Sequence, residues 1–348
     1  MNRPRPRTRT VRTPRTALTT LSTLAAAGLL LTACSAGSPS GAGASSPAAE
    51  AAADSGELTP VSVGLLPIAT SAAVPLGIEE GIFEKHGLDV TIQSGQGGAA
   101  LLPAVSSGTM EFAVGNPQSI LLANSQGLDI RIIAGYSRSY ENVDDPEDQA
   151  PSGVVTLEDS GISSWADLEG QRVAVNTLNT QGHLTIMQSV AAEGGDPETV
   201  EFTEIGFPDQ LAQLEQGNID AAWFPEPFLN QARSQDDIRF IGDSLRAIDD
   251  LYSMVTFTDG EYAEANPEVV DAFRAAIAES TELAMTDEEA FRGAIVDYTG
   301  MDAEVVGALN LEYLSADLDR SVLEELSATA HKFGFLDSEP DLDQTILD

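Results

Sequence analysis

Cys34 is the only thiol in a chain of 348 residues. With no second cysteine it cannot close an internal disulfide, and what is left to it is nucleophilic or acyl-acceptor chemistry. Its setting narrows that choice. Arg3, Arg5, Arg7, Arg9, Arg12 and Arg15 form a positive head, Ala17 to Leu31 an apolar stretch, and Ala33 a small residue before a cleavage point. That order is an export signal. Thr19, Thr20, Ser22 and Thr23 interrupt the apolar stretch, which is too short to remain as a membrane-spanning helix. Residues 1–33 are therefore expected to be removed, leaving Cys34 first. No Arg-Arg pair marks the twin-arginine route.

Other reactive residues are sparse. His86, His183 and His331 make no pair with metal-ligand spacing, and no serine sits in a Gly-x-Ser-x-Gly elbow. Neither metal, cofactor nor catalytic set is expected, and the chain reads as a non-enzyme. The four residues Leu31-Thr32-Ala33-Cys34 resemble the lipobox of bacterial lipoproteins. That resemblance implies a diacylglyceryl group on the Cys34 sulfur and a membrane anchor, which accounts for a lone cysteine in an oxidising compartment. An ordinary secretory signal with an incidental cysteine is the alternative.

Six of the 17 bases and none of the 55 acids precede Cys34, so the remainder carries 11 bases against 55 acids, a net charge of about −44. Such a surface repels nucleic acid and anionic headgroups and excludes both as partners. Ser35 to Glu57 hold Ser, Gly, Ala, Pro and acids without large apolar side chains, so residues 34–57 read as a flexible tether. The remaining chain, with 42% hydrophobic residues overall, is long enough for two cores.

Periodicity places the elements. Val61, Val63 and Leu65 alternate as a strand that Pro67 ends, a short helix runs through Gly77 to Glu80, Gly87 caps a turn in left-handed backbone, and Leu88 to Ile92 is the next strand. Ala99 to Ser107 and Gln118 to Gln126 read as helices, Phe112 to Val114 and Ile130 to Ala134 as strands. Beyond an acidic loop at Glu141 to Gln149, a second unit shows strands at Arg172 to Val175, Val200 to Ile205 and Ala221 to Phe224. Helices at Thr180 to Glu193 and Pro208 to Gln216 join them. This alternation predicts α/β sheets with crossover helices. The units echo each other: Ser107-Gly108-Thr109-Met110-Glu111-Phe112-Ala113 matches Gln216-Gly217-Asn218-Ile219-Asp220-Ala221-Ala222. Val154 to Leu157 and Tyr252 to Phe257 are expected at the two edges of the second unit, carrying the chain out and back. Pro267 to Met285, Asp287 to Tyr298, Ala303 to Leu314 and Arg320 to Phe335 read as helices. The expected division is residues 58–152 with 252–348 as one lobe and 153–251 as the other, with a ligand cleft between them.

Several segments together resemble the nitrate/sulfonate/taurine-type substrate-binding proteins of ABC importers. They are Leu65-Leu66-Pro67, Gly77-Ile78-Glu79-Glu80-Gly81-Ile82-Phe83-Glu84-Lys85-His86-Gly87-Leu88-Asp89-Val90, Ser107-Gly108, Trp165 to Val175, and Asp220-Ala221-Ala222-Trp223 with Glu226-Pro227. The resemblance covers Val61 to about Phe335. It implies a type II periplasmic-binding-protein fold with two crossover hinge strands and a helical C-terminal segment. It also implies a monomeric, lipid-anchored binder on the extracytoplasmic face that passes a small solute to a permease with its ATPase. A related branch makes the thiamine pyrimidine with a pyridoxal phosphate lysine and a cysteine-rich motif, and this chain departs from it. Surface sensing on the same scaffold is an alternative of another class.

In open α/β sheets ligands sit beyond the carboxyl ends of strands, often at helix N-termini. That rule selects Ile68, Ala69 and Thr70 after the first strand, Gln96, Gly97 and Gly98 before one helix, and Asn116, Gln118 and Ser119 before the next. In the second unit it selects Asn176, Thr177, Thr180 and His183, then Trp223 and Glu226. Tyr136 and Tyr140, beyond the last strand of the first unit, give one more aromatic. Each has a structural counterpart: Asn116-Pro117 is also a cap and first helical residue, Gly97-Gly98 a turn, His183 and Trp223 packing groups, and Glu226 between two prolines a backbone shaper. Lys85 and Lys332 fall on helices away from the cleft, and Arg138 is the one base near a strand end. Backbone N–H groups and hydroxyls can hold a sulfonate, taurine or nitrate. Glu226 and the aromatics equally suit an amine-bearing or flat heterocyclic solute such as a pyrimidine precursor of thiamine.

Overall fold

The computed structural model describes residues 57–95, 98–138 and 149–347. Cys34, its signal and tether, Gln96, Gly97, Tyr140 and residues 141–148 of the acidic loop lie outside the described residues.

Eleven strands occur among the described residues. In chain order they are β1 (Thr59–Leu65), β2 (Leu88–Ser94), β3 (Phe112–Gly115), β4 (Ile130–Arg138), β5 (Ser152–Leu157), β6 (Arg172–Val175), β7 (Glu201–Glu204), β8 (Ala221–Pro225), β9 (Ile238–Gly242), β10 (Tyr252–Asp259) and β11 (Tyr313–Leu314). They form two sheets, ordered β11-β4-β10-β3-β1-β2 and β7-β6-β8-β5-β9. In the first, β1 runs parallel to both β2 and β3, and β10 runs antiparallel between β3 and β4. In the second, β6 runs parallel to β7 and β8, and β5 antiparallel between β8 and β9. Apart from the added β11, the two sheets have one topology.

The sequence echo is the local cause of that likeness. Helices Gly98–Ser106 and Phe207–Glu215 end in Gly108 and Gly217, at φ of 67° and 68°, a left-handed conformation that glycine adopts without steric cost. The acid before each following strand then ties three strands together. Glu111 Oε2 accepts from Ser62 N of β1 at 2.7 Å, and Asp220 Oδ2 from Arg172 N of β6 at 2.9 Å. The Thr258 hydroxyl of β10 donates to Glu111 O at 2.6 Å, and the Thr156 hydroxyl of β5 to Asp220 O at 2.7 Å.

β5 lies in the second sheet between β8 and β9, and β10 in the first between β3 and β4, so the chain passes into the second sheet at β5 and is back in the first at β10. Both are buried almost throughout, which suits their unbroken apolar runs better than an exposed edge would. β4 continues to Arg138, four residues past the expected end, because Gly135, Tyr136 and Ser137 stay buried. Ala303 to Leu314 is not one helix: only Ala303–Gly307 is helical, and Tyr313–Leu314 pairs with β4. A sheet edge supplied partners that local propensity did not anticipate. β9 and the helix Phe228–Arg233 had not been read from the sequence at all.

Around the first sheet pack the long helices Pro267–Thr286 and Glu288–Thr299. Phe273 stacks on Phe112 of β3 with ring centroids 3.9 Å apart and planes 4° from parallel. No described helix is long and apolar enough to cross a membrane.

The C-terminal segment crosses β4 closely. Ser315 N donates to Tyr136 O at 3.0 Å and Gly135 N to Ala316 O at 2.9 Å. A Cβ on Gly135 would run into the backbone carbonyl of Asp317 and lie 2.9 Å from Ser315 O. Gly135→Ala is therefore expected to destabilise the protein by ~1–3 kcal/mol, the usual cost of overpacking, which denaturant unfolding would measure.

Candidate ligand-binding site

A cavity of about 50 Å³ lies where the strand ends of both sheets converge. From the first lobe come Leu66 and Ile68, just past β1, Asn116 just past β3, and Ser253, Met254 and Glu312. From the second come Asn176, just past β6, Thr180, Gln181 and Gly182 at a helix start, Phe207, Trp223 and Pro225 at the end of β8, with Leu245 on the return connection. One water-sized group needs roughly 10–15 Å³ of such space, so the cavity suits a solute of few heavy atoms. A larger concavity of about 310 Å³ on the first lobe, lined in part by Met285 and Arg292, is open to solvent. Arg292 there already serves Glu288 and the carbonyls of Val306 and Leu309.

Three helices begin at the cavity, at Pro117, Gln181 and Phe207. Asn116 caps Pro117–Ser125, its Oδ1 accepting from Ser119 N at 2.9 Å and Ser119 Oγ at 3.0 Å. Thr180 precedes Gln181–Ala192 but makes no side-chain cap hydrogen bond to it, and its hydroxyl donates to Thr177 O at 2.8 Å. The first amides of that helix, which have no intrahelical acceptor, thus receive none from Thr180. Gln181 Nε2 donates to Tyr252 O of the other lobe at 2.7 Å, and Gln181 Oε1 is buried without a partner among the described residues. Trp223 Nε1 is likewise buried and unpartnered. The indole lies flat against the helix start because residue 182 is glycine: a Cβ there would sit 3.1 Å from the ring.

Glu312 supplies the one charged side chain in the lining. It is 7% exposed, and Ser253 Oγ donates to its Oε2 at 2.6 Å. Ser137 Oγ lies 2.7 Å from Ser253 Oγ. Burial raises the Glu312 pKa to about 7, outweighing the hydrogen bonds from Ser253, Ser137 and Thr70, which favour the carboxylate.

The strand-end residues of the sequence reading divide into groups. Ile68, Asn116, Asn176, Thr180 and Trp223 come together in the lining. Thr70 stands behind it, on Glu312. Ala69 N donates to Glu226 O at 3.3 Å, while Gly98 begins a helix. Gln118 is fully buried, with neither side-chain amide atom partnered among the described residues, and Ser119 is spent on the Asn116 cap. Thr177 contributes its carbonyl to Thr180.

Tyr136, His183 and Glu226 lie outside the lining. Tyr136 is in the strand rather than after it, fully buried, donating to Thr70 O at 3.1 Å and Ser71 O at 3.2 Å. His183 packs on Phe202 and Phe335 at centroid distances of 3.9 and 4.8 Å, and burial holds its pKa at about 4. Glu226, followed by a cis peptide to Pro227, joins the lobes: its carboxylate accepts from Asn230 N at 2.9 Å and Asn310 N at 3.4 Å. Burial is the main reason its pKa is raised to about 7. Sequence reasoning missed Glu312 and Ser253. The alternation of apolar residues about Glu312, at Leu311, Tyr313 and Leu314, was the available signal.

A two-lobed α/β body whose strand ends converge on one small cavity, largely apolar with a few polar groups in its wall, has the periplasmic-binding-protein fold. The chain belongs to the NMT1/THI5-like family, whose model matches residues 69–290. It is 24% identical over 287 residues to the formylaminopyrimidine-binding protein of Halalkalibacterium halodurans, covering 81% of this chain and 82% of that one. A putative aliphatic sulfonates-binding protein of Escherichia coli is 23% identical over 213 residues, 61% of this chain and 62% of that protein. Among solved structures, the alkanesulfonate-binding protein SsuA from Xanthomonas axonopodis pv. citri bound to MOPS aligns with a TM-score of 0.70 at 16% identity. The alignment covers 84% of this chain and 99% of that one.

Glu226 and Glu312 have folded pKa values near 7 against an ordinary value of 4.5. Between those limits the folded state binds more protons than the unfolded state, so their contribution is greatest below pH 4.5 and is lost as pH rises through about 7. The unfolding free energy of the wild type should therefore fall between pH 5 and pH 7.5 relative to that of the double variant Glu226→Gln/Glu312→Gln. The difference accumulated across that range should be on the order of 5 kcal/mol for the two groups together, measured by chemical denaturation.

Proposed function

We propose that the protein is the solute-capturing subunit of an ABC importer, held on the extracytoplasmic face of a bacterial membrane by a lipid on Cys34. The observation that carries this reading is the cavity itself. Both lobes contribute to it, and two of its side chains, Gln181 and Trp223, hold buried polar atoms without partners. Orphaned groups of this kind cost stability until a polar ligand meets them. A small polar solute that satisfies these second-lobe groups while meeting Asn116, Ser253 or Glu312 on the first-lobe wall would link the two lobes, and the closed form would be the one a permease with its ATPase receives. Capture and release need no bond to be made or broken, in keeping with a non-enzymatic role. The relatives named for formylaminopyrimidine and for aliphatic sulfonates bracket the solute chemistry, with taurine and nitrate as further members of the sulfonate-type reading.

The anchor follows from the sequence. With a lipid on Cys34 and a tether through residue 57, the body remains within reach of a permease and does not diffuse away, whereas a single acyl chain would give only marginal retention.

Thermal-shift screening against taurine, alkanesulfonates, nitrate and aminopyrimidines tests the capture role: a ligand at about 100 times its Kd should add about 2.7 kcal/mol to stability. Trp223→Ala should weaken that ligand at least about tenfold, roughly 1.4 kcal/mol, with the unfolding transition kept cooperative. If no solute in the panel shifts the midpoint, this solute range is wrong. For the anchor, Cys34→Ser should move the protein from the membrane fraction into the medium and abolish incorporation of labelled fatty acid.

A further inference from the structure

Positive charge is absent from the cavity, and the reason lies in the whole chain. None of the eleven Lys and Arg residues beyond Cys34 lines it, nor does any of the three histidines. Arg138, the base nearest a strand end, lies over the rings of Tyr252 and Tyr313 at 5.8 and 5.2 Å and 3.8 Å from Asp250. The segments beyond residue 57 that lie outside the described residues, 96–97, 139–148 and 348, contain no Lys, Arg or His, so they cannot supply a base either. Against this stands Glu312, 7% exposed, facing the cavity with Ser253 on one of its oxygens. At the second-lobe wall the start of helix Gln181–Ala192 offers amides that Thr180 leaves uncapped, a favourable place for an acceptor or a partial negative charge. The cavity is thus polar in two senses, with an acid on the first-lobe wall and N–H groups on the second.

Resting on the capture role proposed for this cavity, we propose that Glu312 selects the solute by its nitrogen: the ligand carries an ammonium or amino N–H that meets the Glu312 carboxyl, with its acceptor end at the Gln181 helix start. Simple anions without such a nitrogen are the disfavoured class. A nitrate or alkanesulfonate would set its negative charge beside the Glu312 carboxyl, an acid rather than a base, in a low-dielectric site with no cation to offset it. A zwitterionic aminosulfonate and an aminopyrimidine both satisfy the two walls. Ser137 and Thr70 are positioning residues in this scheme, because they stand behind the lining on the Glu312 carboxyl, while Ser253 both lines the cavity and donates to that carboxyl.

Matched pairs isolate the nitrogen. Taurine differs from ethanesulfonate, and 4-aminopyrimidine from pyrimidine, essentially by one amino group. Calorimetric titration of the full chain should find the amino member of whichever pair binds to be at least about tenfold tighter. Glu312→Gln should reduce that preference to below about threefold. Equal affinity within a binding pair, or a preference that survives Glu312→Gln, overturns the role of Glu312 and leaves the capture site standing. Binding of neither pair, with nitrate and longer alkanesulfonates also silent, overturns both the nitrogen selection and the solute range on which it rests. The comparison within the wild type does not depend on how well the variant folds.

Discussion

The docking of the C-terminal segment along β4 is the constraint on which the cavity depends. Three successive residues of that strand each do a different part. Gly135, lacking a Cβ, lets Ser315 to Asp317 lie against the strand, and its N–H bonds Ala316 O. Tyr136 spends its hydroxyl on the carbonyls of Thr70 and Ser71, locking the turn after β1. Ser137 pairs in register with Leu314 and shares a hydrogen bond with Ser253 of β10. The result is that Glu312, over 170 residues away in sequence, arrives beside Thr70, Ser137 and Ser253 together. A carboxyl so deeply buried is costly unless its hydrogen bonds are supplied, and β4 is the element that gathers their donors.

Why the cavity forms at the lobe junction follows from the repeated topology. In each sheet the strand next to one edge, β1 or β6, is flanked by two parallel neighbours, and the loops after those strands emerge at one end. Asn116 after β3 and Asn176 after β6 therefore reach the same space from opposite lobes. The echo of glycine, apolar residue, acid and strand does more than mark a repeat. In both lobes the acid that precedes β3 or β8 clamps that strand's start to its two neighbours, through a backbone amide of the parallel one and a threonine hydroxyl near the carboxyl end of the antiparallel one. The lining residues Asn116 and Asn176 follow the carboxyl ends of β3 and β6. Fold and ligand chemistry are in this way separated to opposite ends of the same strands.

Much of this was legible in the sequence where the determining interactions are local. Alternation at Val61, Val63 and Leu65 marked β1, and left-handed glycines marked helix ends. Beyond the strands, the loop rule selected Ile68, Asn116, Asn176, Thr180 and Trp223, which meet in the lining of one cavity. What escaped depends on contacts distant in sequence. The stretch Ala303 to Leu314 has a plausible helical composition, yet Tyr313 and Leu314 are claimed by β4. Tyr136 looked like a cleft aromatic because the strand's extension to Arg138 depends on β10 and β11 beside it. His183 sits one turn into the right helix, but Phe335, far along the chain, covers it. Glu226 lies at the end of the correct strand and is turned to the seam between lobes, accepting from Asn230 and Asn310.

The acid inside the cavity and the acidity of the surface act on different scales. A formal charge of −38 for the whole chain produces a negative field that attracts cations and repels anions at long range, but at physiological salt it is screened beyond about 8 Å. Surface charge can therefore bias encounter rates without deciding which solute stays. Glu312 is different because it is buried, where screening is weak and an unmatched charge is expensive. Its position also explains why eleven bases can coexist with a cavity that holds none. Arg172 pairs with Asp220, Arg239 with Glu158, Arg274 with Asp271, and Arg320 with Glu324 and Asp343, all away from the strand ends that form the lining. With the basic residues placed outside the lining, the selectivity of the cavity rests on one carboxyl and the hydroxyls that orient it.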